Sequence, residues 1–113
     1  MIDQKIEELL DRYRSLEDQY AQATADRVHA EDYKKSLLAL LMKDAESFGA
    51  KTAAAQEREA LCNPKYIEWL EHVKTAVARH EKLRFHRSRL ELEVEVWRTV
   101  QANERMERKA YGA

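Results

Sequence analysis

The sequence predicts an all-α protein: an antiparallel helical hairpin of two long helices with a short connecting helix, coiled-coil-like and homo-oligomeric. Three observations predict it. Of 113 residues, 36% are charged, whereas two are glycine and one is proline. The residues that punctuate turns are nearly absent, so long charged helices are the expected outcome. Apolar residues recur at alternating steps of four and three, the spacing of a coiled-coil seam. The later of the two long periodic stretches is apolar on two nearly opposite sides, and such a helix needs two neighbours. One neighbour is the first helix folded back; the other is a second copy of the chain.

The first long helix is expected over about residues 3–48. Its seam runs Ile2, Ile6, Leu9, Tyr13, Leu16, Tyr20, Ala23, meets Arg27, and reforms with Ala30, Tyr33, Leu37, Leu40, Leu41 and Ala45. Asp3 suits the N-cap, and Gly49 after Phe48 suits the C-terminal stop. In "KTAAAQEREALCNP", Thr52 caps a short helix over about 53–61, rich in alanine, Gln, Glu and Arg. That helix must stop near Cys62, because residues ahead of a proline are pushed out of the helical region. Asn63 and Pro64 open the next helix well: the side chain of one accepts orphan N–H groups, and the other suits the first helical position.

The second long helix is expected over about 64–110, with nothing to break it before Gly112. Its seam is Tyr66, Trp69, Val73, Ala76, His80, Leu83, Arg87, Leu90, Val94 and Trp97. The second apolar line is Ile67, Ala78, Phe85, Leu92 and Val96, and Ile67, Phe85, Leu92 and Val96 are the expected oligomer interface. A chain of this length makes one domain, 1–113, with a modest core of its own. Arg27, His80 and Arg87 interrupt the seams, where polar residues commonly set register and oligomer order.

Charge is unevenly placed. The chain carries −1 overall, with −4 over residues 1–50 and +3 over 51–113. "RHEKLRFHRSR", residues 79–89, holds five Lys/Arg against the single Glu81. On a helix, Arg79, Lys82, His86 and Arg89 fall within an arc of about 80°. Such a stripe can follow phosphates, with Phe85 near enough to stack on a base. The candidate nucleic-acid contacts are Arg79, Lys82, Arg84, Arg87 and Arg89, with Lys34 and Lys35 as a secondary patch. The same charges can instead be absorbed inside the oligomer. In a hairpin turning near residue 56, position 84 comes opposite about position 28, close to Asp26, Glu31 and Asp32. The sequence leaves both readings open.

Enzyme signatures are missing from the sequence. His29, His72, His80 and His86 share no metal-binding spacing, Gly49 and Gly112 form no phosphate loop, and Ser15, Ser36, Ser47 and Ser88 have no visible base and orienting partner. No catalytic residue, metal or cofactor is expected. Cys62, alone, is expected to be a packed thiol in a reducing compartment. The longest apolar run, "LLALLM" at 37–42, is far short of a membrane span. No charged-then-apolar leader opens the sequence, so a cytoplasmic location without membrane contact is expected.

Two segments, "KKSLLALLMKDAE" at 34–46 and "EVWRTVQANERMER" at 95–108, resemble a family of small helical proteins of tailed bacteriophages. "AAQEREALCNPKYIEWL" at 54–70 fits the same family, so the resemblance covers about residues 30–108. In layout this group is similar to the UvsY-type recombination mediators. The resemblance implies a helical hairpin in ring-like homo-oligomers in the host cell cytoplasm. It also implies binding to single-stranded DNA, with a recombinase loaded onto strands coated by single-strand-binding protein in DNA recombination and repair. No DNA motif of the mediators aligns onto particular residues here, and near-neutral charge departs from a strong DNA binder. The other expectation open to the sequence is a structural or adaptor oligomer whose apolar stripes hold a protein partner, inhibition of a host factor included, without DNA.

Overall fold

The computed structural model describes residues 4–112. Three helices account for nearly all of them: α1 (Gln4–Ser47), α2 (Ala53–Leu61) and α3 (Pro64–Ala110). The expected cap at Asp3 and the first seam position, Ile2, lie outside the described residues.

The boundaries follow from local chemistry. At the end of α1 the Ala50 N–H reaches back to the Ala45 carbonyl (3.0 Å) and the Gly49 N–H to Glu46 (3.1 Å). This double closure satisfies carbonyls that the helix leaves without partners, and it needs a left-handed residue at its bend. Gly49 supplies it, with φ of 111°. Thr52 is extended and its hydroxyl accepts from the Ala55 N–H at 3.1 Å, capping α2. Gln56 donates its side-chain amide to the Ala50 carbonyl (3.1 Å), tying α2 to the bend before it. Asn63 caps α3 through Oδ1, which accepts from the Lys65 N–H at 2.9 Å. Pro64 then occupies the first helical position, where no N–H is missed.

Packing groups the chain into two compact units, Met1–Ala21 with Lys82–Ala113, and Gln22–Glu81. In the first, Ile6, Leu9 and Leu16 of α1 are buried with Leu90 of α3, and Tyr13, Leu83, Val94 and Trp97 pack around them. All are seam positions. The Tyr13 hydroxyl stays at the rim and donates to Glu91 Oε1 at 2.9 Å.

In the second unit, Leu41, Ala60 and Tyr66 form one buried cluster with Leu37, Leu38 and Met42 against it. One residue of each helix is thereby joined, and the α2 member, Ala60, is small enough to let that helix lie close. Ala23 and Ala30 are buried further along α1. The Ala30 carbonyl accepts the Trp69 indole N–H at 2.8 Å, a partner the ring needs once its body is packed away. The seam of α1 passes from Leu37 to Leu41, leaving Leu40 53% exposed. A straight helix drifts against a seven-residue repeat, and a four-step absorbs the drift.

Two expectations are corrected in detail. Asp26 meets Arg79, whereas a turn at residue 56 would bring it opposite about residue 86. The register is keyed by Tyr66, which is buried against Leu41 in the first turns of α3. Cys62 is exposed, not packed, because it stands at the C-cap of α2, where the chain turns out of the helix. Among the described residues, no helix is long and apolar enough to cross a membrane.

Candidate nucleic-acid interface

The basic stretch lies wholly within α3, and each unit settles its own part of it. In unit Gln22–Glu81, Arg79 Nη1 donates to Asp26 Oδ2 at 3.4 Å, and Gln22 holds the other carboxylate oxygen of Asp26 at 2.9 Å. Arg27 has a denser set of partners. Its Nε donates to Glu31 (3.1 Å), and its Nη1 to Glu81 (2.9 Å) and to His80 Nδ1 (3.0 Å). A guanidinium only donates, so His80 Nδ1 accepts, and the imidazole proton sits on Nε2. The hydrogen bonds from Glu31 and then Glu81 raise the Arg27 pKa, outweighing the small opposing effect of burial. Of the three acids expected to absorb the basic stretch, Asp26 does so for Arg79. Glu31 turns instead to Arg27 on its own helix. Lys34 is half-buried and Lys35 exposed, and Ile67 is 52% exposed.

In unit Met1–Ala21 with Lys82–Ala113, Arg87 is also engaged. Its Nε donates to Glu91 (3.2 Å) and weakly to the Tyr13 hydroxyl (3.4 Å), while the guanidinium lies 5.4 Å from the Tyr20 ring centroid. The hydrogen bond to Tyr13, with the nearby charge of Glu91 after it, raises its pKa. Arg84 lies over Phe85, 5.2 Å from the ring centroid, within range of a cation–π contact. Lys82 and Arg89 are tied to no carboxylate among the described residues.

Phe85 is 66% exposed. Lys82 precedes it by three residues and Arg89 follows it by four, and residues at those spacings are neighbours on one helix face. An exposed ring thus stands between two cations that have no acidic partner among the described residues. The remaining line on the same helix is open as well, with Leu92 63% and Val96 56% exposed. A groove of about 600 Å³ runs beside it, with Leu92, Val96 and Val100 on one side and Lys5, Glu8 and Arg12 of α1 on the other. No family model, curated protein or solved structure matches the chain. The functional reading rests on the geometry of the two units and on the sequence.

The five candidate cations of α3 are therefore not equivalent. Arg79 and Arg87 are each paired at the surface with a carboxylate of their own unit, whereas Lys82 and Arg89 have no such partner among the described residues. Among the described residues, no three His, Cys, Asp or Glu side chains come together as a metal site.

One group of side chains carried no motif. In unit Gln22–Glu81, four rings follow one another. His29 and Tyr33 stack at 6.1 Å, Tyr33 meets Trp69 edge-on at 4.7 Å, and Trp69 meets His72 at 4.6 Å. The only sequence signal is spacing, four residues between His29 and Tyr33 and three between Trp69 and His72. That spacing puts each pair on one helix face, but nothing in it brings the two pairs together.

Proposed function

We propose that the protein binds single-stranded DNA without sequence preference. In this reading it acts as a non-enzymatic recombination mediator, helping to load a recombinase onto strands held by single-strand-binding protein in phage DNA recombination and repair. It works as a homo-oligomer of helical hairpins in the host cell cytoplasm. The observation that carries the DNA-binding part is the Lys82–Phe85–Arg89 face of α3: two cations without acidic partners among the described residues, flanking an aromatic ring that is 66% exposed. Single-strand binders combine cations that follow the backbone with rings on which bases stack, an arrangement indifferent to sequence because every base has a π-face. Arg84, already over Phe85, joins the contact, and Lys34 and Lys35 form a secondary patch. Arg79 and Arg87 take part through the ion pairs that hold α3 in register. The recombinase-loading part rests on the resemblance of residues 34–46, 54–70 and 95–108.

The test is fluorescence anisotropy of a labelled single-stranded oligonucleotide at several salt concentrations. Binding is expected to weaken with salt at a slope of about −0.7 per phosphate contacted. Lys82→Ala with Arg89→Ala should weaken binding and flatten that slope by about one to two units. Phe85→Ala should cost about 1–3 kcal/mol with the slope unchanged. Binding by the double variant equal to that of the parent would remove this face from the site.

A second reading is favoured by the exposed apolar positions Ile67, Leu92 and Val96, which fit an adaptor that engages protein helices without DNA. It predicts an oligomer that leaves the anisotropy of the oligonucleotide unchanged at low salt.

A further inference from the structure

From the ring cluster of unit Gln22–Glu81, we infer a base-stacking pocket that takes one unpaired nucleobase of a bound single strand, with a flanking phosphate on Lys65. The inference rests on the single-stranded DNA reading and extends it to residues that no basic stretch marks. Tyr33, Trp69 and His72 converge on an open recess of about 370 Å³ that is completed by Leu37, Lys65 and Glu68. Pockets for small organic ligands start near this size, and a single base needs no more.

The walls are held in place before any ligand arrives. The Trp69 indole is fixed by its 2.8 Å hydrogen bond to the Ala30 carbonyl. Tyr33 packs edge-on against it and His72 lies tilted across it at 4.6 Å. Rings fixed at mutual angles leave solvent-facing π-surface that they cannot cover themselves, and a planar base covers it without ordering further side chains. Lys65 is the second residue of α3, and its ammonium is the cation that lines the recess. Glu68, one turn further, faces the same recess. Its carboxylate repels a phosphate, so the strand is oriented with its backbone on the Lys65 side and the base against the rings.

The full chain has two tryptophans, Trp69 and Trp97, which makes the pocket directly observable. In a Trp97→Phe variant, checked for helicity by circular dichroism, Trp69 is the sole reporter. Titration with an oligonucleotide of thymidines should quench its fluorescence in step with the anisotropy of a labelled strand. Tyr33→Leu, which keeps an apolar contact but removes the ring, should weaken binding about tenfold. Binding by anisotropy with unchanged Trp69 emission, and with Tyr33→Leu binding like the parent, would overturn the pocket and leave the DNA reading intact. Absence of any binding at low salt would overturn both.

Discussion

Arg27 sits where the apolar seam of α1 demands a small or greasy residue, and it is accommodated because every donor it directs inward finds an acceptor. Glu31, Glu81 and His80 accept its hydrogen bonds at 2.9 to 3.1 Å. The raised pKa of the guanidinium has a definite sign. A base whose pKa is raised on folding adds stability that is fully present below its unfolded value and is lost only as pH rises through the folded one. For an arginine that window lies above about pH 12, so the contribution of Arg27 is flat across the working range. The alanines beside it are more sensitive. Ala30 is fully buried under Trp69, and Ala30→Leu should destabilise by about 1–3 kcal/mol through overpacking. Leu90, 3% exposed in its own unit, should cost about 2–5 kcal/mol as Leu90→Ala. Urea denaturation followed by circular dichroism checks both. Asp26→Ala has the opposite character: it releases Arg79 from its 3.4 Å ion pair, and single-stranded DNA binding measured by anisotropy should tighten and become steeper in salt.

At the scale of the element, the sequence was informative about where helices begin and end, and silent about what they meet. Gly49, Thr52, Asn63 and Pro64 act on backbone groups within a few residues of themselves, so their roles can be read from neighbours in sequence. Two of these devices give sharp expectations. Gly49→Ala should cost about 1–2 kcal/mol, since a Cβ at a φ of 111° is strained, although nothing lies within 4 Å of it. Thr52→Ala should cost about 1 kcal/mol by leaving the Ala55 N–H without its acceptor. Thermal unfolding of the two variants measures both. The pairing of Asp26 with Arg79 and the meeting of Tyr33 with Trp69 could not be read in this way. They depend on the register between helices, which is set by the burial of Tyr66 beside Leu41 and Ala60. Heptad spacing identifies which face of a helix is apolar but leaves open how far one helix slides along another. For the same reason the basic stretch was visible as a run of charge, while its division into engaged and solvent-facing cations was not.

At the scale of the whole molecule, a chain carrying −1 leaves Leu92 and Val96 to solvent on the same helix as its densest positive charge. If these positions hold a second copy of the chain, Leu92→Glu with Val96→Glu should lower the mass measured by sedimentation, and helicity should be retained. An unchanged mass would remove this line from the interface. The grouping of the chain has a further consequence, for the order in which it folds. One unit is contiguous, Gln22–Glu81, and the other is assembled from the two ends of the sequence. Closing a loop of some sixty residues costs about 4 kcal/mol of chain entropy when nothing within it is formed. Once the contiguous unit has folded, most of that cost has been met by its own short-range contacts. The late step is then a zipping of residues 4–21 against the far part of α3, and a ribosome-bound chain cannot complete it until that part of α3 has been made. In pulse-labelled hydrogen exchange, amides around Ala30 and Tyr66 should gain protection before those around Leu9 and Leu90.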